Sequence, residues 1–112
     1  MLVLNEKIEI KQLLQSLEVH HERIAFLVND MAQMVGCVSQ GDVIRALIDG
    51  ASLRVPARDI AQTNPVKVLQ GPDDAALCKD LIQRRKLHAV PVVDDSNRII
   101  SVVTVWDLLE GQ

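Results

Sequence analysis

The feature that most constrains this 112-residue chain is that it repeats itself. At an offset of 65, Ile24-Ala25-Phe26-Leu27-Val28-Asn29-Asp30 falls on Ala89-Val90-Pro91-Val92-Val93-Asp94-Asp95 without a gap. Met34-Val35-Gly36-Cys37-Val38-Ser39-Gln40-Gly41-Asp42 then falls on Ile99-Ile100-Ser101-Val102-Val103-Thr104-Val105-Trp106-Asp107. Identities are few, yet apolar meets apolar, hydroxyl meets hydroxyl and Asp meets Asp, which is how a duplicated supersecondary unit reads. Upstream, Leu13, Leu14 and Leu17 match Leu77, Cys78 and Leu81 at an offset of 64, so one residue is gained or lost in the connection.

The periodicity within each copy gives its elements. Ile10, Leu13, Leu14 and Leu17 recur at helical spacing, and residues 24–28 form an extended run ending in Asn29-Asp30. Residues 34–38 return as the hairpin partner, and Val43, Ile44 and Leu47 make a helix that Gly50 can stop. In the second copy Asn64-Pro65 starts a short strand through Val66 and Val68, and Gly71-Pro72-Asp73-Asp74 turns into a helix bearing Ala75, Leu77, Leu81 and Ile82. Strands 89–93 and 99–103 flank the turn Asp94-Asp95-Ser96-Asn97, and Leu2-Val3-Leu4 is the worn counterpart of a strand over 65–69. The predicted class is α/β (α+β), two helix-strand-strand-helix motifs at 1–50 and 60–112 related by a pseudo-twofold axis. A copy of about 55 residues buries too little surface to be comfortably stable alone, so one shared core is expected. The linker at 51–59 reads as a short crossing, with Pro56 fixing one backbone angle and Arg54, Arg58 and Asp59 facing solvent.

Composition narrows the function. Twelve Lys+Arg against 15 Asp+Glu leave a net charge of −3, which provides no basic field for nucleic acid. Apolar residues make up 48% of the chain and aromatics 2%, so the core must be aliphatic. Apolar runs such as Ala89-Val90-Pro91-Val92-Val93 fall far short of the roughly 18–20 residues of a membrane span. Asn5, Glu6, Lys7 and Glu9 are unlike a secretory signal, and a cytoplasmic location is expected. Cys37 and Cys78 read as small core hydrophobes, not as a disulfide or redox pair.

The chemistry concentrates in a duplicated hydroxyl-x-x-Asp: Ser39-Gln40-Gly41-Asp42 and Thr104-Val105-Trp106-Asp107. One reading is a helix capping box, with the acid also favouring the helix dipole. The other uses the same geometry for a ligand: the open helix start receives phosphate, the hydroxyl donates to it, and the Asp accepts two sugar hydroxyls.

A tandem helix-strand-strand-helix unit ending in G-h-h-[ST]-x-x-D resembles the cystathionine-β-synthase (CBS) domain pair, or Bateman module, over nearly the whole chain. Gly36-Cys37-Val38-Ser39-Gln40-Gly41-Asp42 carries that ending. Asp59-Ile60-Ala61-Gln62-Thr63-Asn64-Pro65-Val66-Lys67-Val68 resembles the opening of a second CBS motif, and His88-Ala89-Val90-Pro91-Val92-Val93-Asp94 its middle strand. The resemblance implies adenine nucleotides (AMP, ADP or ATP) bound in the clefts between the motifs, as regulatory ligands. Carried over by position, one site would use Arg23, Ile24 and Phe26 with Ser39, Asp42 and Arg45. The other would use Thr63, Asn64, Pro65 and Val66 around the base, His88, Ala89, Val90 and Pro91 along the wall, and Thr104 with Asp107. The first copy departs from the pattern in having no Thr-Asn-Pro opening; the second has Glu110 where Arg45 falls and Trp106, read as a packed or rim residue, where Gly41 falls.

Gly41-Asp42-Val43-Ile44-Arg45-Ala46-Leu47-Ile48-Asp49-Gly50-Ala51-Ser52-Leu53 is further similar to CBS pairs preceding sugar-nucleotide nucleotidyltransferase domains, and sugar-phosphate isomerases carry a related version. Elsewhere the adjacent His20-His21 suits metal binding poorly and reads as surface. Arg84, Arg85 and Lys86 read as a cationic helix end beside His88. No nucleophile, base and orienting group stand in a catalytic arrangement, so no catalytic residue, metal or required cofactor is expected. The expectation is a regulatory nucleotide-binding module, homodimeric through a helical face, serving a fused or associated enzyme. The alternative is a structural CBS pair that dimerises and positions its host without a ligand.

Overall fold

The computed structural model describes residues 2–110; Met1, Gly111 and Gln112, at the outer ends of the two expected motifs, lie outside the described residues. The first copy runs β1 (Val3–Asn5), α1 (Ile10–Val19), β2 (Ile24–Val28), β3 (Met34–Ser39) and α2 (Gln40–Ile48). The second runs β4 (Val68–Leu69), α3 (Asp74–Arg85), β5 (Ala89–Val93), β6 (Ile99–Thr104) and α4 (Val105–Glu110). Each copy makes a three-stranded sheet in which the opening strand lies parallel to the middle one and the hairpin closes it antiparallel. The expected mixed α/β class with duplicated units is therefore what forms. Each unit carries one strand more than helix-strand-strand-helix, because the worn segment at Val3 pairs with Phe26. Its counterpart is shorter than the strand expected over 65–69: Pro65 has no N–H for a ladder, and pairing starts only at Val68.

The hairpins repeat in detail. In both, a register shift precedes the last pair, Val28 with Met34 and Val93 with Ile99. The turn is then organised by one side chain. The Asn29 Oδ1 accepts from the amides of Met31 and Gln33, and the Asp94 Oδ1 from those of Ser96 and Arg98. Both turns also need a left-handed residue, and Ala32 (φ 63°) and Asn97 (φ 64°) supply it.

The helices end by the same logic. In α2 the amide of Gly50 (φ 99°) reaches the Leu47 carbonyl and that of Ala51 the Ala46 carbonyl, a Schellman closure. In α1 the left-handed residue is His21 (φ 53°), with the Glu22 amide on the Leu17 carbonyl. His20 and His21 are thus exposed cap residues.

Burial corrects the helix alignment. Leu13 and Leu17 are fully buried in the first unit, and Cys78 and Ile82 hold those places in the second, while Leu77 is 51% exposed. The helices therefore correspond at an offset of 65, not 64. The extra residue falls between the opening strand and the helix, since Leu4 pairs with Leu27 as Val68 pairs with Val92.

The chain divides into two compact units, residues 1–65 and 66–112. Each unit carries an apolar cluster. Ile10, Leu13, Leu17, Leu27, Val38 and Val43 lead the first; Val68, Cys78, Ile82, Val90 and Val92 form the second. Each helix pattern closes on its own sheet, and a fully buried aliphatic side chain contributes about 1.5–3 kcal/mol.

Residues 51–62 are not a free crossing. The Ile10 amide bonds to the Val55 carbonyl and the Ala57 amide to the Ile8 carbonyl, with Ala57 fully buried and Arg54, Arg58 and Asp59 exposed as expected. Gln62 then exchanges both backbone hydrogen bonds with Cys37 of β3, at 3.0 and 2.9 Å. Gly36 permits this approach: a Cβ there would stand 2.7 Å from the Gln62 carbonyl oxygen. No helix among the described residues is long and apolar enough to cross a membrane.

Candidate functional site

Each unit places a polar corner where its hairpin runs into its last helix. In the first, β3 ends at Ser39, whose extended backbone (φ −97°, ψ 165°) makes it the cap of α2. The Ser39 hydroxyl accepts the Asp42 amide at 3.1 Å, and the Asp42 carboxylate accepts the Ser39 amide at 2.8 Å. Across the corner, Ile24 pairs with Ser39, and the Arg23 carbonyl receives the Gln40 amide. The second unit repeats the arrangement. The Thr104 hydroxyl accepts the Asp107 amide at 3.2 Å, and Asp107 Oδ2 accepts the Thr104 amide at 2.7 Å and its hydroxyl at 3.0 Å. Ala89 pairs with Thr104, and the His88 carbonyl receives the Val105 amide. Both capping boxes read from the sequence are formed.

The two carboxylates differ in what else they hold. Asp42 Oδ1 takes the Arg45 guanidinium at 2.6 Å and the Gln62 side-chain amide at 3.1 Å, and only 9% of the Asp42 side chain is exposed. Burial, the largest single influence on it, raises its pKa. The Ser39 amide, Gln62, the Ser39 hydroxyl and Arg45 together outweigh burial and hold the carboxyl below its ordinary value. Asp107 is exposed, and its bonds come from Thr104 alone among the described residues, leaving Oδ1 without a partner. Where Arg45 stands in the first unit the second has Glu110, and Trp106 is 69% exposed.

The remaining candidates fall into place unit by unit. Arg23 and Arg45 are exposed, Ile24 is half-buried and Phe26 is buried under the pairing with Cys37. Thr63 and Asn64 are exposed and Pro65 is half-buried, all in the first compact unit; half-buried Val66 begins the second. His88 is exposed at the mouth of β5, Ala89 is half-buried, and Val90 and Pro91 are buried in its sheet. The structure thus brings Arg23, Ile24, Ser39, Asp42 and Arg45 to one corner and His88, Ala89, Thr104 and Asp107 to the other. Val90 and Pro91 lie buried within the sheet and do not reach that corner's surface. Gln62 was not among the sequence candidates: its place beside Asp42 follows from strand-like pairing with β3, which no local pattern announces.

Burial, and after it the Asp42 charge, push the Cys37 thiol up to about 11, and burial likewise raises Cys78, so both stay protonated as core residues at neutral pH. The described residues contain no group of three or more His, Cys, Asp or Glu able to hold a metal ion. Arg84 and Arg85 lie in the last turn of α3, with Arg84 paired to Asp80 at 2.9 Å. A shallow depression of about 350 Å³ in the second unit is lined by Lys67, Leu69, Val93, Asp94, Asp95 and Asn97, and includes none of the candidates.

A strand-helix-hairpin-helix unit, repeated with a hydroxyl-carboxylate corner in each copy, defines a tandem α/β architecture. The chain belongs to the CBS domain family, whose model matches residues 57–112. It is 35% identical over 97 residues to an uncharacterized protein of Helicobacter pylori, covering 84% of this chain and 29% of that one. It is 30% identical over 79 residues to arabinose 5-phosphate isomerase GutQ of Escherichia coli, covering 70% of this chain and 24% of the isomerase. The chain thus spans less than a third of the length of these relatives. Among solved structures, a CBS domain protein from Pyrobaculum aerophilum complexed with AMP is 26% identical, with a TM-score of 0.75 over 96% of this chain and 82% of that one. The CBS domains of a transcriptional regulator from Streptococcus pneumoniae share the fold at a TM-score of 0.79 and 19% identity, covering 96% and 86%.

Proposed function

We propose that this chain is a regulatory CBS module that binds an adenine nucleotide and serves an enzyme of sugar-phosphate chemistry. The observation that carries the reading is the duplicated corner: Ser39 with Asp42 and Thr104 with Asp107, each beside the mouth of its middle strand. A carboxylate there accepts the two hydroxyls of a ribose, and in the first corner the start of α2 and the Arg45 side chain favour phosphate. In the second unit His88 and Ala89 form a wall backed by Val90 and Pro91, and Thr104 with Asp107 takes the sugar. In the first, Arg23, Ile24 and Phe26 serve with Ser39, Asp42 and Arg45. The AMP complex of the Pyrobaculum aerophilum relative supports this ligand class. The match to arabinose 5-phosphate isomerase favours an isomerase host over a nucleotidyltransferase one.

Regulation requires that the ligand prefer one state of the host, since equal affinity for two states shifts neither. Melting the chain with AMP, ADP, ATP and, as a control, ribose 5-phosphate tests the reading. At least one adenine nucleotide raises Tm and the sugar phosphate does not. No shift with any nucleotide at millimolar concentration favours the second reading, a scaffold that dimerises through the exposed apolar residues Ile44, Ile48 and Leu109 on α2 and α4.

A further inference from the structure

The two corners are built alike but are not equally open, and the difference lies in one side chain. The geometry points to Gln62 as a latch: its side-chain amide occupies the ribose-accepting oxygen of Asp42, so the first corner is filled by the chain itself until that amide swings away. This rests on the ribose reading of the duplicated carboxylates. Gln62 is carried to the spot by its backbone, which exchanges two hydrogen bonds with Cys37 over Gly36, where no side chain intervenes. From there Nε2 lies 3.1 Å from Asp42 Oδ1 and 3.5 Å from Oδ2. The Ser39 amide already holds Oδ2 and Arg45 holds Oδ1, which leaves the side chain 9% exposed. In both corners the cap holds Oδ2, so a diol has to reach the carboxylate through Oδ1, with room there for two hydroxyls. Arg45 is 66% exposed on its own helix and can turn outward toward a phosphate, whereas Gln62 stands across the carboxylate from a separate segment of chain. Asp107, bonded only by Thr104, has no such cover among the described residues.

The consequence is a ranked pair of sites, the second ready and the first requiring one hydrogen bond to be exchanged. Calorimetric titration of AMP into the full chain carrying Asp107→Ala, with and without Gln62→Met, reads the first corner alone. Methionine keeps the length of the side chain and removes the donor. Release of one hydrogen bond to a carboxylate should tighten binding roughly three- to tenfold. Gln62→Asn, too short to reach, should give the same gain. Melting without ligand verifies that each variant is folded, and a merely structural Gln62 lowers Tm without tightening AMP. Unchanged or weaker affinity in both variants overturns the latch. If AMP still binds the unmutated chain in that case, the nucleotide reading stands and only the latch falls; if AMP binds neither, both fall.

Discussion

Asp42 caps a helix with the same carboxylate that the proposed function gives to a ligand, and its protonation exposes the structural part. Its folded pKa lies below the ordinary value. The stabilisation it provides is therefore complete above the unfolded value near pH 4 and is lost as pH falls through the lower folded one. Asp42→Asn should cost about 1 kcal/mol at pH 7, and the gap from the parent should close below about pH 4 in urea titrations. A gap that persists at pH 2 would place the effect elsewhere. Ala32 gives a second residue-level prediction. It sits at φ 63°, where its counterpart Asn97 sits at φ 64°, and only the latter is a residue that tolerates the left-handed region well. Ala32→Asn should raise stability by about 0.5–1 kcal/mol, measured by denaturant midpoint. At this scale the sequence made Ser39, Asp42, Thr104 and Asp107 legible because a cap is a local pattern. Gln62 was illegible because its partner is 20 residues away and reached only through tertiary pairing.

Among the elements, the hairpins and last helices were read correctly because alternation and capping are short-range signals. The first helices were aligned one residue out. Leu13-Leu14 invites a match to Leu77-Cys78, yet identity of side chains is weaker than the face they present. Leu13 is fully buried, while the place equivalent to it is held by Cys78 and Leu77 looks outward. Leu13→Ala should thus cost about 2–5 kcal/mol, and Leu77→Ala under about 1 kcal/mol. Equal losses in thermal unfolding would restore the offset of 64. The short β4 was over-read because Pro65 and Val66 look extended, although a proline cannot donate to the ladder.

For the molecule as a whole, duplication was legible from the matching apolar, hydroxyl and acidic positions, whereas composition reports how much can be buried but not where. The clusters leave apolar side chains outside. Ile44 on α2 and Leu109 on α4, equivalent by the repeat, are 55% and 58% exposed. A homodimer through these helical faces should appear in sedimentation equilibrium, and Ile44→Glu with Leu109→Glu should shift it to monomer. A parent monomer at high micromolar concentration would remove the scaffold reading first. The central claim, that the corners are nucleotide sites and not caps alone, is tested most directly by calorimetric titration of AMP into the parent and Asp107→Ala. The account predicts saturable binding to the parent, weakened roughly tenfold or more when the ribose acceptor is removed. No saturation at millimolar AMP, or the same affinity in both proteins, would contradict it.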